Sequence, residues 1–479
     1  MKRKDFIKIM GILGISIPFQ PILSFSNNNT SSVGTCSKPI FIIGAGAAGM
    51  TAAYLLGQQG ANFQVLEASS TYGGRMKINT SFANFPIPLG AEWLHGPVSI
   101  LSNIVNDSNV SINTVTLGYN PQDTSGYYEN NILYIDTIAN DFGTFEDRKF
   151  INSSWLHFYQ TYILPPISQN ITYNKQIVSI DYQNDIIILT DQNGATYEAE
   201  KVIITVPLKI LKNGVINFST SLPTSKQNAI QNANVWGGIK VFLKFSYKFY
   251  PTFLSFPNSE TSQGQLYYYD AAYGQNTSSK ILGLFAVGQQ AAAYQALTGN
   301  ALKDYILAEL DQIFAGAASI HYISHTVQNW STEPFIESAY LADVENWTIP
   351  YQLKQAVNNK LFFAGEAYND NDWGAVHNAA EAAQIAVGDC LNSLPTDIVV
   401  SATCIDLLPE RNPNKFRICG DFTNYTIQII YTNGSQYQNL SNQSSPIIIN
   451  TNNLPSSPMF LKIQNTNNLG PKLIQRLKY

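Results

Sequence analysis

A glycine-rich turn near the start of the chain has the spacing of a dinucleotide-binding motif. The apolar run Ile40–Ile43 is followed at once by Gly44-Ala-Gly46-Ala-Ala-Gly49. The first glycine of such a motif permits a tight turn, the second lets the backbone approach a pyrophosphate, and the third allows close packing of a helix on a strand. The N-terminus of that helix then faces the phosphate charge.

The elements around this turn complete the pattern. Residues 50–59 have a helical composition, and Phe63–Leu66 is predicted to be a second buried strand, which ends in Glu67. A carboxylate at this place can hydrogen-bond a ribose hydroxyl. Strand, turn, helix and acid together predict dinucleotide binding, but this unit alone does not distinguish NAD from FAD.

Length, composition and charge exclude several classes of protein. The chain has 479 residues, 45% of them hydrophobic and 13% charged, which indicates a folded protein of two or three domains. The net charge is −5, and beyond the first eight residues the only basic run, at 472–479, is short. Nucleic acid is therefore not an expected partner.

The four cysteines predict no metal site. Cys36, Cys390, Cys404 and Cys419 show no CxxC or Cys/His spacing. In an oxidising compartment Cys404 and Cys419, which flank one short loop, are the candidate disulfide pair.

The N-terminus has the features of a signal peptide. Basic residues precede the apolar run 9–17, and prolines and a polar stretch follow it. This run is short for a membrane span, so residues 1–26 are predicted to be a removed signal, with a membrane anchor as the alternative. Arg3-Lys4-Asp5-Phe6-Ile7-Lys8 resembles a twin-arginine signal with one arginine changed to lysine. We therefore expect export to the periplasm or the medium by that route for folded proteins, with ordinary unfolded secretion as the rival, and no stable membrane insertion of the mature chain.

Composition divides the rest of the chain into two zones. From residue 39 to about 393, strand-like runs alternate with helical patterns, as in an α/β protein. Within it, segments 182–190 and 195–204 surround a polar turn and are predicted to form a hairpin. After residue 394 Asn, Ser, Thr and Pro dominate, so residues 396–479 are predicted to be a small β module. Its candidate strands are 426–431, 447–450 and 459–463, with turns such as Asn433-Gly434.

A second glycine pair favours FAD. Gly73-Gly74-Arg75 follows Glu67 after a few residues, and here the sequence resembles the flavin-containing amine oxidase family. That family includes polyamine and monoamine oxidases, L-amino acid oxidases and flavin lysine demethylases. In it, this Gly-Gly-Arg approaches the FAD pyrophosphate, so the resemblance implies FAD as the cofactor.

The resemblance continues in order over residues 38–393. Its further motifs are Leu89-Gly-Ala-Glu-Trp-Leu-His95-Gly96, Val202-Ile-Ile-Thr-Val-Pro207-Leu, Ile239-Lys240-Val, Trp330, Ser338-Ala-Tyr340, Leu361-Phe-Phe-Ala-Gly365-Glu366 and Gly374-Ala-Val-His377. It implies that Glu366 binds ribityl hydroxyls. The full set of implied FAD contacts is Gly44, Gly46, Ala48, Gly49, Glu67, Ala68, Gly74, Arg75, Gly90, Ala91, Glu92, Trp93, Val178, Pro207, Trp330, Gly365, Glu366, Gly374, Ala375 and Val376.

The family also implies an architecture. A Rossmann-like FAD-binding domain, from about 38–115, 170–235 and 355–395, interleaves with an α+β substrate domain from about 116–169 and 236–354. The β module follows. The stretch between Gly96 and Tyr173 is shorter than in the family, which leaves the size of the substrate open.

Four residues carry the implied chemistry. Lys240 is expected near flavin N5, through a water, where it helps oxygen react. Tyr340 is expected to form an aromatic wall, which Ala375 leaves incomplete, and His95 to lie near the amine. Trp93 stands where L-amino acid oxidases usually place an arginine for the substrate carboxylate. A planar bidentate donor suits that task and Trp cannot perform it, so amines are favoured over α-amino acids.

The expected reaction is oxidation of a monoamine or polyamine by hydride transfer to flavin N5. Hydrolysis of the imine follows, and oxygen regenerates the flavin and gives hydrogen peroxide. The alternatives are an L-amino acid oxidase or other flavin desaturase on the same scaffold, and a non-catalytic exported FAD-binding protein. The sequence does not predict an oligomeric state.

Overall fold

A computed structural model describes residues 38–143, 146–342, 348–369 and 374–393, together with the backbone of seven later strands. The predicted signal peptide and twin-arginine motif lie outside these residues, as do Cys36, Cys404 and the turn at Asn433-Gly434. The chain divides into two compact units, Met1–Leu394 and Pro395–Tyr479. Among the described helices, none combines the length and the hydropathy needed to cross a bilayer.

Strands and helices alternate along the first unit. Its strands are β1 (Ile40–Ile43), β2 (Phe63–Leu66), β3 (Ile78–Asn79), β4 (Ile87–Pro88), β5 (Trp93–Leu94), β6 (Thr116–Gly118), β7 (Thr124–Glu129), β8 (Ile132–Thr137), β9 (Arg148–Phe150), β10 (Ile171–Thr172), β11 (Ile177–Asp181), β12 (Ile187–Asp191), β13 (Thr196–Ala199), β14 (Lys201–Ile204), β15 (Asn217–Phe218), β16 (Gly238–Phe245), β17 (Phe253–Ser255), β18 (Glu260–Thr261), β19 (Gly264–Asp270), β20 (Lys280–Gly288), β21 (Tyr322–Asn329) and β22 (Leu361–Phe363). Its α-helices are α1 (Ala47–Gln58), α2 (Ser99–Val105), α3 (Ile138–Phe142), α4 (Trp155–Tyr162), α5 (Leu208–Lys212), α6 (Thr224–Asn232), α7 (Ala292–Gln295), α8 (Gly299–Ile313), α9 (Ala317–His321), α10 (Thr348–Lys354) and α11 (Val376–Asn392).

A parallel sheet in the order β10-β2-β1-β14-β22 forms the dinucleotide-binding part. Strands β1 and β14 are buried along their whole length, as expected for parallel strands covered on both faces. The predicted strands β1 and β2 are confirmed. Helix α1 begins at Ala47, earlier than predicted, because Gly46 is extended and serves as its N-cap. The Rossmann-like α/β fold class is confirmed.

The two helices next to this sheet are rich in alanine. Helices α1 and α11 pack against each other in one core with β1 and β2. Small side chains let the two helices approach closely. The third glycine is required where α1 packs on the glycine turn, since a Cβ at Gly49 would lie 1.9 Å from the carbonyl oxygen of Gly44.

The substrate part is built on an eight-stranded sheet in the order β21-β16-β20-β19-β17-β7-β8, with β18 on β19. Alternate residues of β16 face opposite sides. Ile239, Val241 and Leu243 pack in a core with α8. Lys240 and Phe242 therefore point to the other side, away from α8.

The predicted hairpin needed correction at both arms. Strands β12 and β13 pair around the turn at Asp191. The first predicted arm, 182–190, includes the connection that precedes β12. The second, 195–204, breaks at Glu200, because the fully buried β14 joins the parallel sheet beside β1 instead.

Two domain boundaries were also misplaced. Helix α10, which the sequence assigned to the substrate part, packs through Ile349 and Leu353 in a core with β1 and β14. Residues 155–169, which the sequence assigned to the substrate part, pack into the core of the dinucleotide-binding part. Trp155, Phe158 and Tyr159 lie in the cluster that contains β1 and α1, and the Tyr159 hydroxyl is 2.9 Å from that of Thr51. The shortened segment after Gly96 thus supports the first domain as well as the second.

The second unit contains two antiparallel sheets. One has the order β23-β24-β27 and the other β26-β25-β28-β29. All three runs predicted as strands lie in strands. The strands are β23 (Asp406–Pro409), β24 (Lys415–Cys419), β25 (Tyr425–Tyr431), β26 (Gln436–Gln443), β27 (Ile447–Asn450), β28 (Met459–Asn465) and β29 (Pro471–Leu477).

Deletion of residues 396–479 should leave a soluble first unit that unfolds in one cooperative transition. The two units are separate compact bodies of the chain, and a compact unit with its own core folds without its neighbour. Thermal unfolding of the full and shortened chains checks this. Aggregation of the shortened chain, or a broad transition, would show that the first unit depends on the second.

Candidate active site

A cavity of about 970 Å³ runs between the parallel sheet and the eight-stranded sheet. It lies at the upper end of the size of ligand pockets. Most of the residues expected at the site line it, from Gly44 and Arg75 to Lys240 and Tyr340. The exceptions are Gly49, Gly74 and Val178. Gly49 lies where α1 packs on the glycine turn. In β11, Ile177 lines the cavity instead of Val178, because neighbouring residues of a strand face opposite sides.

Two glycine turns form one wall of the cavity. Gly44 and Gly73 have φ values of 104° and 109°, a region that favours glycine, and the Gly73 amide donates to the carbonyl of Ala45 (2.8 Å). A Cβ at Gly46 would meet nothing within 4 Å. No side chain caps the N-terminus of α1. Open backbone and free helix amides can receive a pyrophosphate.

Glu67 stabilises the first turn. One carboxylate oxygen accepts the amide of Ala45, and the other accepts the amide of Ser69 (2.8 Å). Burial raises the pKa of Glu67, although these hydrogen bonds oppose the rise. Each oxygen keeps a further lone pair, and Glu67 lines the cavity, so a ribose hydroxyl can still bind there.

Arg75 and Glu366 form an ion pair across the cavity wall. Their closest nitrogen and oxygen atoms are 3.0 Å apart, and Arg75 also donates to the carbonyl of Ala339. The second oxygen of Glu366 accepts the amide of Leu341 (3.3 Å). The pair thus joins the second glycine turn to the strand end that precedes α11.

The start of α11 also reaches the cavity. Gly374, Ala375 and Val376 line it, and the side chain of Asn378 accepts the amide of Ala375 (3.1 Å). Asn378 therefore fixes the first turn of this helix. The two glycine turns, the N-termini of α1 and α11 and the Arg75–Glu366 ion pair together fit a bound FAD.

The segment that carries Gly90, Glu92 and Trp93 connects this wall to Lys240. A Cβ at Gly90 would lie 2.0 Å from the carbonyl of Arg75, so only glycine fits. Lys240 donates to the carbonyl of Gly90 (2.9 Å) and to Glu92 (2.8 Å). The Lys240 ammonium also lies 4.9 Å from the centre of the Trp93 ring.

Lys240 and Glu92 are both buried, with 3% of each residue exposed. Burial lowers the pKa of Lys240, and Glu92 opposes that change. Burial alone raises the pKa of Glu92, but Lys240 and Lys149 outweigh it, and the net pKa lies below its usual range. The site therefore holds a charged pair beside the cavity.

Glu260, Gln265 and Tyr267 form a second hydrogen-bonded group in the cavity wall. Glu260 accepts hydrogen bonds from the hydroxyl of Tyr267 (2.7 Å) and the amide of Gln265 (2.9 and 3.0 Å). The hydroxyl of Tyr340 donates to the side-chain oxygen of Gln265. Burial raises the pKa of Glu260 to about 7, against these hydrogen bonds.

The ring of Tyr340, whose hydroxyl donates to Gln265, packs against a second aromatic ring. The centres of the Tyr340 and Trp236 rings are 5.7 Å apart, and both rings line the cavity. Trp236, which no sequence motif marked, thus supplies an aromatic neighbour for Tyr340. A Cβ at Gly374 would make an ordinary contact with the Tyr340 ring at 3.5 Å, so the φ of 87° rather than the ring favours glycine there.

His95 is paired with Asp147, with Nδ1 and the carboxylate oxygen 2.9 Å apart. Both residues line the cavity, together with His377. Burial lowers the pKa of His377 to about 3, and His95 contributes to the decrease. His377 is therefore a neutral imidazole at physiological pH.

Sequence reasoning missed several residues that the fold brings to the site. Lys149 and Asp147 come from β9 and the loop before it, and Glu260 lies in the short strand β18. No sequence motif surrounds these residues, so their place at the site becomes visible only from contacts between distant segments of the chain. The missed residues that contact the predicted ones are Asp147, Lys149, Trp236, Gln265 and Tyr269. Glu260 contacts Gln265 and Tyr267.

Known proteins share both parts of this arrangement. Residues 166–391 match the family model for flavin containing amine oxidoreductase, and residues 42–107 match that for an NAD(P)-binding Rossmann-like domain. Polyamine oxidase 2 of Arabidopsis thaliana is 25% identical over 74% of this chain and 88% of its own length. The chain belongs to the flavin-containing amine oxidase family. It is an FAD-dependent oxidoreductase that acts on amines.

Solved structures show the same fold at low identity. Wild-type putrescine oxidase bound to putrescine has a TM-score of 0.59 and 16% identity, over 75% of this chain and all (100%) of that one. Cyclohexylamine oxidase from Brevibacterium oxydans has a TM-score of 0.60 and 14% identity, over 74% and 99%. The amine oxidase fold therefore extends over about three quarters of the chain, which is what these two likenesses establish.

Proposed function

We propose that this amine oxidase acts on an amine with a second cationic group, a diamine or polyamine, and that oxygen accepts the electrons. When bound, FAD supplies the hydride acceptor for the carbon next to the amine nitrogen. The residues of the chain bind and orient the amine and exclude water. The observation that carries the proposal is Glu260, a buried carboxylate in the cavity wall whose hydrogen-bond partners are neutral.

A substrate carboxylate finds no available cation in the described part of the cavity wall. Trp93 stands where an arginine would be needed, and each described lysine or arginine of the wall already has a carboxylate partner. Burying an unpaired carboxylate costs several kcal/mol. The pairs, with their N–O distances, are Arg75–Glu366 (3.0 Å), Lys175–Asp191 (3.1 Å) and Lys240–Glu92 (2.8 Å).

Glu260 is suited to receive an ammonium group. A buried carboxylate with a pKa of about 7 is only partly ionised on its own, and a cation beside it favours the ionised form. Tyr267 and Gln265 fix its oxygens by hydrogen bonds, so its orientation does not depend on the substrate. The rings of Tyr340 and Trp236 offer apolar surface to the methylene groups between the two nitrogens.

His95 is assigned to the reacting end of the amine. Its pairing with Asp147 fixes the ring at the cavity wall. Such a histidine can accept the proton of the substrate ammonium, which leaves the neutral amine that oxidation requires. His377 stays neutral and adds no competing charge.

Lys240 is assigned to the reaction with oxygen. A fixed ammonium in a dry site stabilises the negative charge that oxygen acquires as it accepts electrons. Glu92 holds this ammonium beside the cavity, and the ring of Trp93 covers it. The lysine therefore needs no rearrangement when oxygen reacts.

Diamines and polyamines should exceed α-amino acids in kcat/KM by more than about a hundredfold, because the described cavity offers no cation to a substrate carboxylate. Peroxide formation with putrescine, spermidine, simple monoamines and the common L-amino acids measures this. Faster turnover of any L-amino acid than of all the amines would support the amino acid oxidase alternative instead.

A further inference from the structure

Three charged side chains form a buried cluster beside the cavity. Glu92 lies between Lys149 and Lys240, with N–O distances of 2.9 Å and 2.8 Å to its two oxygens. The exposed fractions of Lys149, Glu92 and Lys240 are 2%, 3% and 3%. Lys240 lines the cavity, whereas Lys149 lies behind Glu92. One carboxylate is thus shared by two ammonium groups.

The fold places these residues by strand pairing. In the sheet β5-β9-β6, Trp93 is paired with Lys149, which brings Lys149 next to Glu92. Lys149 is held from its other side by the carbonyl of Ala271 (2.6 Å). Lys240 reaches Glu92 from β16. Three distant segments therefore have to assemble before the cluster exists.

The groups around the cluster are otherwise neutral. The hydroxyl of Tyr269 donates to Glu92, and the indole of Trp93 donates to the hydroxyl of Tyr119 (2.8 Å). Burial raises the pKa of both tyrosines well above 10, so neither adds a charge. The further carboxylates that act on Tyr119 are those of Asp147, which pairs with His95, and Asp270, which pairs with Lys248.

We propose that Glu92 and Lys149 are positioning residues for Lys240: Glu92 holds its ammonium at the cavity, and Lys149 withholds part of that carboxylate from it. This inference rests on the proposed role of Lys240 in the reaction with oxygen. Neither residue needs to touch substrate or cofactor for the effect. Lys149 acts only through Glu92.

The two residues should act on Lys240 in opposite directions. Without Lys149, the whole charge of Glu92 stabilises the ammonium of Lys240, which then keeps its proton to higher pH. Without Glu92, two buried ammonium groups remain and Lys240 loses its proton at lower pH. A neighbouring charge at such distances, with an effective dielectric constant of about 20, shifts a pKa by about one unit or more.

The experiment compares the full-length holoenzyme with the variants Lys149→Met and Glu92→Gln. Stopped-flow reoxidation by oxygen from pH 6 to 11, about the range in which such a lysine titrates, gives the alkaline limb of the rate. We expect Lys149→Met to move this limb up by about one pH unit and Glu92→Gln to move it down. The visible flavin spectrum, titrated over the same range without oxygen or substrate, should show the same two shifts and lose the transition in Lys240→Met.

Thermal unfolding gives a readout that needs no turnover and remains informative if Glu92→Gln is unstable. Lys149→Met should lower the Tm in the wild-type background, where it removes an ion pair. It should raise the Tm in the Glu92→Gln background, where it removes repulsion between two unpaired ammonium groups. Lys226→Met, which removes a buried lysine outside the cavity, should not move the alkaline limb in either background.

The outcomes separate this inference from the proposed function. An alkaline limb that disappears in Lys240→Met but is unmoved by both other variants overturns the positioning role and keeps the role of Lys240. A rate that does not depend on Lys240 overturns its role with oxygen, and the spectral titration and the reversal in Tm then decide the positioning role. Shifts in the same direction for Lys149→Met and Glu92→Gln, or no reversal in Tm, contradict it.

Discussion

Replacing Lys240 with methionine should slow reoxidation of the enzyme by oxygen about a hundredfold or more, while FAD remains bound. Removing one prearranged charge or donor from a dry catalytic site typically costs a factor of about 10² to 10³. The variant should fold, because Glu92 keeps its second partner Lys149. Stopped-flow absorbance of the enzyme, first reduced with amine and then mixed with oxygen, measures this rate.

A matched control is available in the same chain. Lys226 is also buried, donates to the carbonyl of Gln352 (3.2 Å) and lies 3.8 Å from the centre of the Phe363 ring, but it does not line the cavity. Lys226→Met should therefore reoxidise at the wild-type rate. If Lys240→Met also keeps the wild-type rate, the lysine has no part in the reaction with oxygen.

Replacing Glu260 with glutamine should raise KM for putrescine at least about thirtyfold and leave a monoamine such as cyclohexylamine within about threefold. Loss of one partner of a buried charge pair costs about 2–5 kcal/mol. Glutamine keeps an acceptor for Tyr267 and similar volume, so packing is preserved. Steady-state peroxide formation with the two amines measures the difference.

The same residue predicts a pH dependence. Because burial raises the pKa of Glu260 to about 7, its ionised form increases as pH rises through that value. The KM for a diamine should therefore fall between about pH 6 and pH 8 in the wild type, and Glu260→Gln should lack this step.

Glu309 offers the matched control for this acid. It is a half-buried glutamate that accepts hydrogen bonds from the hydroxyls of Tyr268 (3.4 Å) and Tyr294 (2.8 Å), outside the cavity. Glu309→Gln should leave the KM for putrescine unchanged. Equal losses for putrescine and cyclohexylamine in Glu260→Gln would mean that Glu260 maintains the cavity and recognises no second ammonium.

The sequence predicted those parts of the fold that local order determines. The turn at Gly44, its flanking strands and the glycine pair at Gly73 are close together in the sequence. The motif itself therefore indicates why the backbone needs glycine at these positions. Lys240 was also found by a local match, and the alternation of β16 explains why it faces away from the core with α8. Motifs of this kind describe neighbours in sequence.

The remaining features of the fold and the site depend on contacts between segments that are distant in the sequence. Lys149 joins Glu92 only because β9 pairs with β5, and Trp236 meets Tyr340 through a backbone contact between distant segments, in which the Trp236 amide donates to the Tyr340 carbonyl (3.0 Å). The break at Glu200 also depends on the position of β14 beside β1. Burial raises the pKa of Glu260 only after the surrounding strands have closed over it, so residue type alone did not single it out.

Anaerobic mixing of the yellow holoenzyme with putrescine tests whether the enzyme oxidises diamines in preference to amino acids. The flavin band should bleach with this diamine at a rate that exceeds the rate with any L-amino acid. Air should then restore the band with formation of hydrogen peroxide. A flavin spectrum that putrescine, spermidine and simple monoamines all leave unchanged, or that an L-amino acid bleaches faster, would contradict the proposed function.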